Sequence, residues 1–348
     1  MRNTTKQIRV GGVYVGGGAP VSVQSMTNTR TDDIDATLAQ IRALAAAGCE
    51  IVRCAVPDMA AAQALETICG QSPLPVVADI HFDYRLALAS VEAGVQKIRI
   101  NPGNIGAQEN VRAVADACAA RGIPIRVGVN SGSIEKDLLA QYGRCPRALV
   151  ESALRQVHLL ESMDFTDICI SIKSSDVRET VEAYRLLAQQ TDYPLHIGVT
   201  EAGTEYNGLV RSAVGIGALL LDGVGDTLRV SLTADPVAEV RAGLAILKAA
   251  GLRREGVRVV SCPTCGRTRI DLIPLAHRVE DALRNEKRDI TVAVMGCAVN
   301  GPGEAREADY GIAGGDGEGV LFKKGVIVGK VPGDDLLKAL LDLIHSDS

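Results

Sequence analysis

A (β/α)8 barrel, a TIM barrel, followed by a small α/β domain is the fold this sequence predicts. Short β-branched runs alternate with longer alanine-rich stretches up to about residue 250, the pattern of repeated βα units. Eight such runs fit into that length, enough to close a parallel sheet. The repeat then stops at Gly251 and the linker Leu252-Arg253-Arg254-Glu255-Gly256, beyond which a different αβ pattern begins. The expected domains are 1–250 and 257–348.

The expected barrel strands are Val21–Met26, Glu50–Val56, Pro75–Ile80, Gln96–Ile100, Pro124–Val129, Asp167–Ile172, Pro194–Val199 and Asp226–Ser231. Their near-continuous apolar character implies a parallel sheet covered on both faces, with a doubly wound open sheet as the competing topology. Helical stretches follow the strands, among them Asp32–Ala47, Asp83–Ala93, Gln108–Ala120, Arg147–Met163 and Asp235–Ala250, the last ending at a glycine stop. In the second domain, Val257–Ser261 and Thr291–Met295 read as strands joined through a helix at Thr268–Leu283. Val320–Phe322 and Val326–Val331 form a hairpin around Lys323-Lys324-Gly325, and Asp334–His345 reads as an amphipathic helix.

Composition narrows the function. An apolar fraction of 47% supports a large core, and the absence of tryptophan makes that core aliphatic. A net charge of −5 argues against general nucleic-acid binding. The longest apolar run, Ala213–Leu221, is too short to span a membrane. The N-terminal residues show no apolar signal segment. Nine cysteines, an odd number, without such a segment point to the reducing cytoplasm and against a disulfide framework.

Barrel enzymes do chemistry at the C-terminal ends of their strands. Those ends here carry Arg53, Arg99, Arg126, Lys173 and Arg229, joined by Asp79, His81, Asn101, Asn130, His196, Thr200, Glu201 and Ser231. So many cations at one mouth of a net-acidic chain call for an anion; arginine forks suit phosphate oxygens, and a diphosphate fits. Salt bridges to neighbouring helices are the bland reading of each arginine taken alone.

The second domain carries Cys262-Pro263-Thr264-Cys265 and Gly296-Cys297. A C-x-x-C pair and a remote third cysteine supply three thiolates, which suits an iron–sulfur cluster with one replaceable position. Glu304, at the end of Asn300-Gly301-Pro302-Gly303-Glu304, offers an oxygen for that position. A structural zinc site, which wants a fourth Cys or His, competes with this reading. Cys49, Cys54, Cys69, Cys118, Cys145 and Cys169 lack ligand spacing and read as small apolar residues, with Cys54 and Cys169 placed to border the pocket. His158 and His277 fall in helical stretches, and Gly16-Gly17-Gly18 and Gly314-Gly315-Asp316-Gly317 read as turns.

Several motifs together resemble one family. They are Val21-Ser22-Val23-Gln24-Ser25-Met26-Thr27, Ile51-Val52-Arg53, Ala78-Asp79-Ile80-His81-Phe82, Lys97-Ile98-Arg99-Ile100-Asn101-Pro102-Gly103-Asn104 and Arg126-Val127-Gly128-Val129-Asn130-Ser131-Gly132-Ser133. Leu195-His196-Ile197-Gly198-Val199-Thr200-Glu201-Ala202-Gly203, Cys262-Pro263-Thr264-Cys265-Gly266-Arg267 and Met295–Glu304 complete the set. Their order and spacing resemble the 4-hydroxy-3-methylbut-2-enyl diphosphate synthase family, in its short two-domain bacterial form.

The resemblance implies an iron–sulfur oxidoreductase of the methylerythritol phosphate pathway of isoprenoid biosynthesis. Its substrate would be 2-C-methyl-D-erythritol 2,4-cyclodiphosphate, opened and dehydrated by two electrons to 4-hydroxy-3-methylbut-2-enyl diphosphate. It implies a [4Fe–4S] cluster on Cys262, Cys265, Cys297 and Glu304. Arg53, Arg99, Arg126, Lys173, Arg229 and Ser231 would hold the diphosphate with Asn130, His196 and Thr200, and Glu201 would be the catalytic acid. A flavodoxin or ferredoxin donor, a head-to-tail homodimer, and no nucleic-acid or membrane partner complete the expectation. Two other functions compete: a redox-independent barrel transferase with a zinc module, and a cluster-bearing electron carrier in which the barrel arginines have no role.

Overall fold

The computed structural model describes residues 3–284, 286–297 and 305–347. The chain divides into two compact units, Met1–Arg253 and Arg254–Ser348.

The first unit opens with a hairpin absent from the sequence expectation, β1 (Ile8–Val10) against β2 (Val13–Val15). The barrel strands follow as β3 (Ser22–Met26), β4 (Ile51–Ala55), β5 (Val76–Asp79), β6 (Lys97–Ile100), β7 (Ile125–Asn130), β8 (Ile168–Lys173), β9 (His196–Ile197) and β10 (Thr227–Leu228). They are parallel neighbours in the order β8-β7-β6-β5-β4-β3-β10-β9. The Ile170 N–H donates to the Pro194 carbonyl at 2.9 Å, and an Ile170–Leu195 bridge joins β8 to β9. The sheet is thus a closed barrel and not a doubly wound open sheet.

Helices α1 (Ile34–Ala46), α2 (Met59–Gln71), α3 (Tyr84–Glu92), α4 (Gln108–Arg121), α5 (Lys136–Tyr142), α6 (Pro146–Glu161), α7 (Val177–Ala188), α8 (Glu205–Leu221) and α9 (Pro236–Ala249) follow the strands in turn, α5 and α6 both lying between β7 and β8. Aspartates at the strand-to-helix turns start several of them. The side chains of Asp33, Asp58, Asp83, Asp176 and Asp235 accept N–H groups of α1, α2, α3, α7 and α9, filling donors that a helix start leaves open.

The expectation of near-continuous apolar strands needs correction. One face of each strand is aliphatic and packs in the helix-facing core, with Val52, Cys54, Val76, Ala78, Ile98, Ile100, Val127, Val129, Ile170 and Ile172 among its members. The alternate positions point to the lumen and are largely polar: Gln24, Arg53, Asp79, Lys97, Arg99, Arg126, Lys173, His196 and Thr227 are all buried there. Period-two alternation is hidden in the sequence because small residues and Met26 intervene. The floor is closed by apolar packing of Ile8, Val10 and Val15 from the hairpin with Ile51, Val77 and Cys169.

The second unit is a five-stranded sheet in the order β11 (Val257–Ser261), β12 (Ile290–Met295), β13 (Tyr310–Gly314), β14 (Glu318–Lys323) and β15 (Val326–Pro332). The first three are parallel and the last two turn back as antiparallel strands. Helices α10 (Leu272–Ala282) and α11 (Leu336–His345) pack their apolar stripes on it around Val279, Val294, Ile312, Leu340 and Ile344. Strand β13 was missed in the sequence because its glycines and alanine mask it. They are required: a Cβ on Gly311 would stand 2.2 Å from Phe322.

Candidate active site

Inside the barrel the cations share a scarce supply of carboxylate. Asp79, from the end of β5, accepts from Nη1 of Arg99 at 3.2 Å and stands 3.7 Å from Nε of Arg53. The same Arg99 nitrogen lies 3.2 Å from Nε2 of His81. Burial alone would raise the Asp79 carboxyl, but the Arg53 and Arg99 guanidiniums outweigh it and hold the group below its usual range. Behind the wall, Glu239 of α9 accepts from Nη2 of Arg229 at 3.3 Å.

The remaining cations, Lys97, Arg126 and Lys173, have no carboxylate ion pair among the described residues. Burial, then the nearby charge of Arg126, Arg229, Arg53 and Arg99, pushes the Lys173 ammonium well below its ordinary value. Burial also lowers Arg53 to about 9, Arg126 to about 10 and Lys97 to about 8. His196 is driven well down by burial and by Arg126 and Lys173, so its imidazole is neutral. Nε of Arg53, Nζ of Lys97, Nε and Nη1 of Arg126, both nitrogens of His196 and Nε of Arg229 are buried without a hydrogen-bond partner among the described residues. Buried donors of this kind are costly unless something accepts from them. Asp226, just before β10, accepts the Thr5 hydroxyl and the Leu195 N–H.

Two glycines make room for this arrangement. A Cβ on Gly198 of the β9 segment would stand 2.9 Å from Nζ of Lys173 and 2.5 Å from the Arg229 carbonyl oxygen. Gly128 in β7 similarly admits Arg99, whose Nη2 donates to the Gly128 carbonyl at 3.4 Å.

The expected residues separate into two levels. Arg53, Arg99, Lys173, Arg229 and His196 converge in the lumen. Arg126 joins them but is not at a strand end: it is the second residue of β7, paired in register with Arg99 and Cys169, so it lies deep. The rim carries Asn130, in register with Lys173, and Thr200, Glu201 and Ser231, which follow β9 and β10. Glu201 has φ of 51°, a left-handed conformation costly for a residue with a Cβ and concentrated at functional sites.

Lys97 was overlooked as a site residue, although its two-residue spacing from Arg99 puts both on the lumen face. Glu239 was overlooked because a glutamate in a first helical turn carries no functional signal. Of the two strand cysteines expected at the pocket, Cys169 meets the lumen floor, whereas Cys54 faces the helices. His158 and His277 are exposed beside Glu161 and Glu280.

In the second unit, the register pairs Ser261 with Val294, which sets Cys262 beside the turn leading to Cys297. The Gly296 N–H donates to Sγ of Cys262 at 3.2 Å, and the Arg269 N–H donates to the Gly296 carbonyl at 2.9 Å. The Cys265 N–H donates to Oγ1 of Thr268 at 3.2 Å, and the Arg267 N–H holds the Cys265 thiol below its usual value. All three cysteines are free. N–H donors aimed at sulfur favour thiolates, the ligand form. Among the described residues no three His, Cys, Asp or Glu side chains are grouped so as to hold a single metal ion, and Glu304 lies outside the described residues.

Fold and site define a (β/α)8-barrel protein with a buried cationic lumen and a separate α/β unit bearing three cysteines on adjacent strand ends. Family models agree with each half: residues 5–244 match the GcpE TIM-barrel domain and 258–346 the GcpE protein C-terminal domain. The chain belongs to the GcpE family. It is 63% identical over 342 residues to a protein of Geobacter sulfurreducens, covering 98% of this chain and 97% of that one. It is 58% identical over 346 residues to one of Clostridium perfringens, covering 99% of each. Both are named 4-hydroxy-3-methylbut-2-en-1-yl diphosphate synthase (flavodoxin). Among solved structures, an N-acetylneuraminic acid synthetase of Leptospira borgpetersenii matches with TM-score 0.51 at 13% identity, covering 82% of this chain and all of that one. A Yersinia pestis dihydropteroate synthase matches with TM-score 0.50 at 12% identity, covering 70% of this chain and 97% of that one. At such identities these two speak for the barrel alone.

No helix among the described residues is long and apolar enough to cross a membrane.

Proposed function

We propose that the chain reduces 2-C-methyl-D-erythritol 2,4-cyclodiphosphate to 4-hydroxy-3-methylbut-2-enyl diphosphate, with electrons from a flavodoxin. The observation that carries this reading is the set of buried cationic nitrogens in the barrel lumen that have no hydrogen-bond partner among the described residues. A diphosphate supplies the acceptors and the negative charge that these groups lack.

In this reading the 1–250 domain binds substrate and the 257–348 domain carries a [4Fe–4S] cluster. Cys262, Cys265 and Cys297 would hold the cluster, with Glu304 as the labile fourth ligand. The three described ligands fit such a group in kind: free thiols on neighbouring strand ends, with the Gly296 N–H directed at Cys262 and that of Arg267 lowering Cys265. When bound, the cluster supplies one-electron reduction and a Lewis-acidic iron.

The chain's own residues bind and orient. Arg53, Arg99, Arg126, Lys173 and Arg229 take the diphosphate oxygens, and their charge stabilises the diphosphate as its bond to the ring carbon breaks. Asn130, Thr200 and Ser231 give hydrogen bonds at the rim. Neutral His196 donates through one ring nitrogen without adding charge. Glu201, on a left-handed backbone at the rim, delivers the proton to the departing hydroxyl, which leaves as water. Two electrons and that proton balance the ring opening and dehydration.

A head-to-tail homodimer would let one chain's cluster unit close the other's mouth. Exposed Tyr206, Val210 and Val214 along α8 support self-association, since a helix face of this kind favours burial.

The test is anaerobic purification followed by visible spectroscopy, iron and sulfide analysis, and an assay with the cyclodiphosphate and reduced flavodoxin. About four iron and four sulfide per chain, absorption that bleaches with dithionite, and turnover support the reading. Zinc with redox-independent activity overturns it.

A further inference from the structure

One carboxylate ties the barrel mouth to the helix behind it. Glu239 lies in the first turn of α9 and is 4% exposed. Its Oε1 accepts the Leu232 N–H at 2.9 Å, both oxygens accept from Nη2 of Arg229 at 3.3 Å, and Oε2 accepts the Ser25 hydroxyl at 3.4 Å. Donors from the residue that follows β10, from the turn beyond it and from β3 therefore converge on one side chain.

An arginine–glutamate pair is often no more than a structural tie. Two features set this one apart. Only Nη2 of Arg229 is engaged, while Nε remains buried without a partner among the described residues. The guanidinium is held through one nitrogen and left with donor capacity for something else. The second feature is the Leu232 N–H. It belongs to the peptide that follows Ser231, so the carboxylate that orients Arg229 also fixes the backbone carrying the Ser231 hydroxyl. A carboxylate accepting a backbone N–H and a guanidinium together is a stiff anchor, because charge-assisted bonds are short of alternatives in a buried setting.

We propose that Glu239 is a positioning residue for anion binding, holding Arg229 and the Ser231–Leu232 peptide in the orientation that receives the diphosphate. This rests on the reading of the lumen as the diphosphate site. It assigns the cationic wall two supports: Asp79 for Arg53 and Arg99, and Glu239 for Arg229. The supports act differently. Asp79 sits among the cations it orients, whereas Glu239 reaches in from a helix and touches no reacting group.

The experiment uses full-length, anaerobically reconstituted enzyme with Glu239→Gln and Glu239→Asp. It measures inorganic diphosphate binding by calorimetry, steady-state kinetics with the cyclodiphosphate, and thermal melting. Glu239→Gln keeps an oxygen for the Leu232 N–H but puts an uncharged amide against Arg229. The expected result is a rise of about tenfold to a hundredfold in KM and in the diphosphate Kd, with kcat changed less than about threefold. Glu239→Asp, which keeps the charge on a shorter arm, should recover part of that loss. In an Arg229→Gln background, Glu239→Gln should add little further.

Unchanged KM and Kd in a folded Glu239→Gln enzyme overturns the proposal, as does a fall in kcat alone. If Glu239→Gln does not fold, Glu239→Asp decides: raised KM with near-normal kcat and melting supports it, and wild-type KM overturns it. Failure of the wild-type chain to bind either inorganic diphosphate or the cyclodiphosphate overturns the lumen reading itself, and this inference with it.

Discussion

The Cβ that Gly128 lacks would stand 2.4 Å from Nε of Arg99. The guanidinium lies across β7 in the space where any other residue would put a side chain, and from there it reaches Asp79. Gly128→Ala should therefore displace Arg99 without unfolding the barrel. The expected effect is a loss of about tenfold to a hundredfold in kcat/KM, roughly 1.4–2.8 kcal/mol of transition-state stabilisation, with a small change in melting temperature. Kinetics equal to wild type would show that Arg99 does not need this position.

Asp79 is the carboxylate between Arg53 and Arg99. Asp79→Asn leaves both guanidiniums buried without an anionic partner, at a cost of about 3 kcal/mol. The sign of its pH dependence follows from its carboxyl being held below the ordinary value. The stabilisation is fully present above the unfolded pKa of about 4 and is lost as pH falls through the lower folded value. Melting curves of wild type and variant should differ most near neutrality and converge in acid. A gap that stays constant down to the lowest folded pH would refute the charge interaction. Inorganic diphosphate should raise the melting temperature of both proteins, because it supplies negative charge to the same cations.

Lys97 presents the opposite case. It is fully buried at the start of β6, its Nζ has no hydrogen-bond partner among the described residues, and burial lowers it to about 8. Between about 8 and the ordinary value of 10.5 the unfolded chain binds more protons than the folded one, so stability rises with pH across that window. Below about 8 the cost of burying the charge is present in full. Lys97→Met should stabilise the ligand-free protein at pH 7 by about 3 kcal/mol at most, with the advantage shrinking as pH approaches 10.5. A variant less stable than wild type at pH 7 would mean that the ammonium is already compensated in the free protein.

The cysteine unit makes a separable prediction. Cys297→Ser removes one thiolate from the set and should abolish the visible absorption and the turnover while leaving inorganic diphosphate binding intact. Gly296→Ala should give a milder version. Its Cβ would come within 3.0–3.1 Å of Thr268, whose hydroxyl oxygen accepts the Cys265 N–H, so the loop must shift and the iron content should fall below that of wild type. Full colour and activity in Cys297→Ser would remove that residue from the ligand set.

The βα repeat, the break near Gly251 and the pairing of a C-x-x-C with a remote cysteine were all legible in the residues. Each depends on local pattern or short spacing, which a chain carries wherever it folds. The sequence alone thus determined the barrel, the separate cysteine-bearing unit and most of the cations. It did not reveal the hairpin, whose two short strands lack a long periodic signal, or β13, whose glycines are explained only by Phe322 lying over Gly311. Nor did it distinguish the depth of Arg126 from the rim position of Ser231, because depth is set by strand register. Tertiary structure decided which charges are compensated. Asp79 reaches Arg99 across neighbouring strands, Glu239 reaches Arg229 from a helix behind the wall, and Lys97 is left without a partner among the described residues. Electrostatic energy depends on distance and burial, and both arise only when the sheet closes on itself.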